Sequence, residues 1–322
     1  MNRLIVMVGL PGSGKSTFAE RLRRHIIEEY GYGCEIFSSD AIREELYGDA
    51  NIQGDSKEVF SLLEQRLFEA LSVNDNRVAI YDATNLTAKG RKALINKVKN
   101  SKLPECYFNC IFIACRLSEC KRRQFSRDRK VPEEVIERMV RSFQAPFYNE
   151  GWDEIQVYAG GKLYNPCEEV LDALDLSHDN HHHTLSIGKH MVVAGREALK
   201  LIDELGYGKA AYDAAYYHDM GKPHVKSFTD KLGNPTEEAH YFSHESVSSY
   251  MWLSSYHPVA MSQSEIFLIA ALIQWHMMPY FIAPKGQTAT KEEVFAWGLK
   301  KGFSEQFLEL LWIVHQADQE AH

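Results

Sequence analysis

No two cysteines in this chain are spaced as a C-x-x-C pair. The six present, Cys34, Cys106, Cys110, Cys115, Cys120 and Cys167, therefore support neither a zinc knuckle nor a dithiol redox motif. A chain of 322 residues does not need disulfide staples, so free thiols in a reducing, cytoplasmic compartment are expected. No apolar run approaches the length of a membrane span, and no membrane is expected. The opening run Leu4 to Val8 leads straight into glycines and reads as a buried strand, not a secretory signal. Arginine is almost missing after residue 165, where only Arg196 remains. Histidine is almost missing before it, where only His25 stands.

Those two gaps suggest a division. Up to Asn165 there are 25 Lys+Arg against 23 Asp+Glu, and from Pro166 onward 11 against 21. The net charge of −8 thus belongs to the second part. Two domains of different chemistry are expected, 1–165 and 166–322, with the turn-rich stretch Gly160 to Pro166 between them.

The first part carries "GLPGSGKST", a G-x-x-x-x-G-K-[ST] loop from Gly9 to Ser16. Gly9, Pro11, Gly12, Ser13 and Gly14 form the cradle, in which glycines let backbone N–H groups turn inward around phosphate oxygens. Lys15 reaches the outer phosphates, and Ser16 or Thr17 offers a hydroxyl to Mg²⁺. A strand before the loop and the helical "KSTFAERLRRHIIEEY" after it place the loop at a helix N-terminus. "EIFSSDAIREELYGD" predicts a strand ending at Asp40, then a helix carrying Arg43. A carboxylate at a strand's C-terminal edge sits where open α/β sheets bind ligands, and Asp40 could take a proton from an attacking hydroxyl. Its competing role is to cap the following helix. "RVAIYDATNL" predicts a strand ending at Tyr81 with Asp82, Thr84 and Asn85 emerging beside it. Further on, Arg122, Arg123, Arg127 and Arg129 precede Pro132, which is expected at the start of a helix. A mobile segment bearing arginines could close over phosphates. A plain basic helix is the alternative.

In order and spacing, these four stretches resemble the 5′-polynucleotide kinase family over most of residues 1 to 158. The resemblance implies an α/β P-loop kinase domain, with a parallel sheet, flanking helices and an Arg-rich lid, using ATP or another NTP with Mg²⁺. It implies Asp40 as general base and Arg43 at the substrate phosphate. It also implies Arg127 or Arg123 at the nucleotide donor, and Asp82, Thr84 and Asn85 as the substrate-side loop.

From Ser177 onward the chain reads as nearly all helix. Five helical stretches, among them "EEAHYFSHESVSSYMWLSS", each hold a candidate ligand: His190, His218 with Asp219, His244, His276 and Asp318. Helices side by side could deliver these to one centre. A lone histidine on an apolar helix is more often a satisfied core residue. The adjacency of His218 and Asp219, with Gly221 and Lys222 following, lifts this set above that reading. Imidazole and carboxylate donors without thiolate suit Mn, Fe, Co, Ni or Zn. The order His, His-Asp, His, His, Asp resembles the HD phosphohydrolase superfamily. That resemblance implies an all-α HD domain holding one or two divalent transition metals, with Asp219 as bridge, Lys222 on the phosphate and His183 near the substrate.

Adding and removing phosphate on one molecule is futile unless the two sites act on different ends of a broken strand. The combined resemblance implies an enzyme that heals nucleic-acid ends, RNA favoured over DNA, possibly beside a separate RNA ligase. Two alternatives stand: a nucleoside or nucleotide kinase fused to a nucleotide phosphohydrolase, and a nucleotide-gated regulator.

Overall fold

The computed structural model describes residues 1–73, 76–126, 130–181, 184–205 and 208–321. The chain divides into two compact units: residues 1–139 with 150–163, and residues 140–149 with 164–322.

Unit 1 is an α/β fold. Its strands are β1 (Asn2–Val8), β2 (Cys34–Ser38), β3 (Val78–Asp82), β4 (Cys106–Ala114) and β5 (Glu154–Ala159). Its helices are α1 (Lys15–Tyr30), α2 (Ser39–Tyr47), α3 (Ser56–Leu71), α4 (Ala88–Lys99) and α5 (Leu117–Phe125), and α6 (Glu133–Arg141) carries the chain across the division at residue 139. The sheet is wholly parallel in the order β2-β3-β1-β4-β5. Parallel strands are covered on both faces, which is why β3 is buried at every position. Met7 and Ser38 both stand level with Asp82. The ends of β2, β3 and β1 therefore lie side by side, where open sheets hold ligands. Ser38 caps α2 by accepting from Asp40 N and Ala41 N. Asp40 is thereby relieved of the capping role and sits in the helix's first turn.

Unit 2 is helical: α7 (Pro166–Asp172), α8 (Ile187–Leu205), α9 (Ala210–Tyr217), α10 (Lys222–Val225), α11 (His244–Leu253), α12 (Gln263–Trp275), α13 (Met278–Ile282), α14 (Lys291–Lys300) and α15 (Glu305–Glu320). Helices α8, α9, α12 and α15 pack on one another, and α11 packs on α12. The all-helix expectation needs a correction at Glu237–His240. These residues belong to a strand, β7 (Pro235–His240), paired antiparallel with β6 (Ser227–Thr229). Helix α11 begins only at His244. The expectation about apolar length is also corrected, because residues 263–282 are long and apolar enough to cross a membrane. Here they form the two helices α12 and α13, and α12 buries Ile266, Phe267, Ile269, Leu272 and Ile273 in the core of the unit.

Candidate functional site

In unit 1 a cavity of about 720 Å³ opens at the strand ends. Pro11, Gly12, Gly14, Lys15, Ser16 and Thr17 line it on one side, and Asp40, Arg43, Asp82 and Thr84 on the other. The loop's shape depends on glycine where it matters most. Gly12 has φ +83°, and a Cβ there would fall 2.6 Å from Cys120 O. Lys15 is buried and donates to Leu10 O at 2.9 Å. Arg43, 6% exposed, donates from one guanidinium nitrogen to Ser39 O and Asp40 Oδ1, both at 3.2 Å. Its Nε has no hydrogen-bond partner among the described residues, and burial pulls its pKa below the ordinary arginine value. A buried cation with spare donors at a cavity wall is suited to an anionic ligand.

Asn85 donates its amide to Met7 O at 2.8 Å and Ala83 O at 3.3 Å, which anchors the loop. Arg123 lines the cavity and is held by Glu119 at 2.8 Å, Gly160 O at 2.9 Å and Gly12 O at 3.1 Å, contacts that brace the phosphate loop. Arg127 lies outside the described residues. Phe60, Val135, Arg138 and Met139 also line the cavity. Their apolar and single-cation character gave no sequence signal of its own.

In unit 2 the predicted ligands converge on two overlapping clusters, His190–His218–Asp219 and Asp219–His244–His276. Each ligand stands near a helix end: His218 and His276 terminate α9 and α12, His244 opens α11, His190 lies in the first turn of α8 and Asp318 in the last turn of α15. All are buried. Asp318 Oδ1 lies 2.9 Å from His190 Nε2 and 3.3 Å from His218 Nε2. Asp219 Oδ2 lies 3.2 Å from His218 Nε2, and Oδ1 lies 3.3 Å from His244 Nε2.

The four rings are oriented alike. His218, His244 and His276 direct Nδ1 at the carbonyl three residues back, at 2.7, 2.8 and 2.7 Å, and His190 directs Nδ1 at Ala321 O at 2.6 Å. Carbonyls only accept, so Nδ1 carries the proton and the Nε2 lone pair of a neutral ring faces inward. Yet His190 and His218 face each other Nε2 to Nε2 at 3.2 Å, as do His244 and His276. Two lone pairs at that distance need a positive species beside them. Asp219 Oδ1 is buried without a hydrogen bond among the described residues, while Oδ2 meets Lys222 Nζ at 2.6 Å. This donor set fits a divalent transition metal at each cluster, with Asp219 shared.

Charge states follow the same logic. Burial opposes a charged His218, but Asp219 and Asp318 outweigh it and push its pKa up to about 10, so the positive species beside its Nε2 is a proton where no ion is bound. Burial alone would raise Asp219 and Asp318, but the surrounding imidazoles, and Lys222 beside Asp219, hold both well below the usual carboxylate range. His276 is pushed down to about 3 by burial. Lys222 Nζ pairs with Asp219 Oδ2 at 2.6 Å, lies 3.4 Å from His178 Nε2, and sits over the Tyr241 ring. His178 carries no sequence signal of its own, and His183, expected near the substrate, lies outside the described residues. His178 is buried and directs Nδ1 at Leu185 O. Burial and Lys222 push its pKa down to about 4, so it accepts from Lys222 as a neutral ring.

A protein-family model described as an AAA domain matches residues 4–146. A Protein KTI12 homolog from Xenopus laevis is 24% identical over 53% of this chain and 61% of its own length. An L-seryl-tRNA(Sec) kinase from Methanococcus maripaludis is 29% identical over 52% of this chain and 65% of its own. The chain thus spans less than two thirds of these curated relatives. Among solved structures, Chaetomium thermophilum Kti12 in complex with ADP-AlF3 is 20% identical with TM-score 0.39, covering 48% of this chain and 88% of that one. A fungal RNA kinase is 15% identical with TM-score 0.35, covering 49% and 74%. Unit 1 is a P-loop α/β fold. The family match ends at residue 146, before the histidine cluster begins.

Proposed function

We propose that this chain heals broken nucleic-acid ends, RNA in preference to DNA. Unit 1 adds phosphate to a 5′-hydroxyl from ATP or another NTP with Mg²⁺. Unit 2 is a phosphohydrolase of the HD type that removes a 2′,3′-cyclic, 2′- or 3′-phosphate. The observation that carries the reading is the pairing, on one chain, of a P-loop cavity walled by Asp40 and Asp82 with an imidazole–carboxylate cluster centred on Asp219. The family match and a relative named as a tRNA-directed kinase support the first half.

In unit 1, Lys15 neutralises phosphate charge, Asp40 accepts the proton of the attacking hydroxyl, Arg43 holds the acceptor's phosphate, and Asp82 would help hold the Mg²⁺ that offsets phosphate charge. In unit 2, His190, His218, Asp219 and Asp318 would hold one ion, and Asp219, His244 and His276 a second. A bound ion of this class supplies Lewis acidity and a nucleophile at neutral pH. Lys222, steadied by His178, is the chain's own cation for the phosphate. The healed ends are what a separate RNA ligase requires.

The test offers the protein a 5′-OH oligonucleotide ending in 2′,3′-cyclic phosphate, with ATP, Mg²⁺ and Mn²⁺, and analyses both ends by mass spectrometry. Both ends should change. Asp40→Ala should slow only the 5′ reaction, by about 10²- to 10⁴-fold. Preference for free nucleosides would point to the small-molecule kinase. Nucleotide binding with no transfer at either end would point to the regulator.

A further inference from the structure

Arg91, on α4, is the largest fully buried side chain among the described residues, and it is charged. Its fork closes on Glu150, Nε to Oε2 at 2.7 Å and Nη2 to Oε1 at 2.6 Å. Trp152 Nε1 donates to the same Oε2 at 3.0 Å. A buried pair of this kind is a poor source of stability, because apolar groups of equal volume fill the same space without the cost of stripping water from two charges. What apolar groups cannot supply is the third arm of the guanidinium. Nη1 donates to Asn85 O at 2.8 Å.

That contact lands on a tight turn. Asn85 has φ +48°, in the left-handed region that asparagine enters more readily than other residues with a side chain. Asn85 in turn holds Met7 O through its amide, and its neighbour Thr84 accepts from Gly9 N at 3.1 Å. Gly9 is the first residue of the phosphate loop, while Asp82, Ala83 and Thr84 wall the cavity. One line of hydrogen bonds therefore runs from Glu150 through Arg91 and Asn85 to the loop that meets phosphate.

We propose that Arg91 and Glu150 are positioning residues of the phosphoryl-transfer site, fixing the 82–86 loop and the start of the P-loop without touching substrate. The activity readout rests on the kinase reading above, and a second readout is independent of it. Arg91→Lys keeps the charge but cannot serve Glu150 and Asn85 with one planar fork. The double variant Arg91→Met with Glu150→Met replaces the ion pair by apolar volume. Full-length proteins are compared by hydrogen exchange at the Gly9 amide and the 82–86 loop, by thermal unfolding, and by 5′-end phosphorylation.

Both variants should exchange faster at Gly9. Their kcat should fall by about tenfold to a hundredfold with donor KM unchanged, the signature of misplaced rather than missing groups. The double variant should melt near the wild-type temperature. A double variant that keeps both wild-type kcat and wild-type exchange at Gly9 would overturn the proposal, since the pair would then serve packing alone. If the double variant does not fold, Arg91→Lys decides by the same two readouts. A wild type with no 5′ activity sinks the kinase reading, while exchange at Gly9 still decides the clamp.

Discussion

Asp219 is the meeting point of its cluster: Lys222 at 2.6 Å, His218 at 3.2 Å and His244 at 3.3 Å all face its carboxylate inside the protein. Asp219→Asn keeps the volume and deletes the charge. Metal per chain, measured by mass spectrometry, should fall to background, and 3′-end processing should vanish while 5′ phosphorylation survives. Lys222→Ala should keep metal and lose rate. Full metal content in Asp219→Asn would mean that the imidazoles alone hold the ions and that Asp219 is no bridge. His315 predicts a pH effect of its own. It is fully buried, neither ring nitrogen has a hydrogen-bond partner, and burial pushes its pKa down to about 4. The unfolded chain titrates near 6.5, so between pH 6.5 and about 4 it takes up a proton that the folded chain refuses. Stability therefore falls as pH drops through that window, by up to about 3 kcal/mol from this residue, and is untouched above it. His315→Phe should flatten the acid limb in urea unfolding at pH 5 and leave pH 8 nearly unchanged. Parallel losses in both proteins would show that His315 ionises freely in the fold.

Elements whose signals are local were legible in the sequence. Helix α1 runs Lys15–Tyr30, the stretch that the glycine loop and its apolar spacing prescribe, and β2 hands over to α2 beside Asp40. The five ligand-bearing helices were also legible, because each carries its own apolar stripe. Strand β7 was not, since Pro235–His240 is a strand only by pairing with Ser227–Thr229, and strand preference depends on the partner. The backing of the phosphate loop was equally hidden. Gly160, after β5, lies so close to the loop that a Cβ there would fall 2.0 Å from Ser13 O. In the sequence Gly160 stands out only as the start of the turn-rich stretch between the two parts, not as a wall of the phosphate loop. Gly160→Ala must push the loop away from β5, and nucleotide affinity should drop by about tenfold or more, which corresponds to at least 1.4 kcal/mol. Titration with a fluorescent ATP analogue measures it, and metal content of unit 2 serves as the internal control. Unchanged affinity would mean that the loop finds its shape without that support.

At the scale of the whole chain, the shift in charge and histidine content near residue 165 lies close to the return at Leu163 and Tyr164. The earlier crossing, after Met139, falls inside α6 with no compositional mark, because Val140–Asn149 mixes apolar and polar residues as the chain before it does. That segment packs within unit 2. Phe143 is fully buried with its ring 5.4 Å from that of Tyr250, Phe147 lies 5.1 Å from Phe307, and Ala145 N donates to Gln274 at 3.4 Å. A single cut at residue 165 therefore leaves two apolar rings without partners on the first fragment and their empty places on the second. Fully burying such a ring is worth about 1.5–3 kcal/mol, and here Phe143 is fully buried and Phe147 half-buried. Fragment 1–165 should aggregate on size-exclusion chromatography, and Phe143→Ser with Phe147→Ser should restore a monomer that still phosphorylates 5′ ends. Fragment 166–322 should melt below the full chain and recover part of the difference when a peptide of residues 140–149 is added. An unmodified 1–165 fragment that is monomeric and active, beside a 166–322 fragment with full metal content and unchanged melting, would show that the 140–149 segment contributes nothing to either fold.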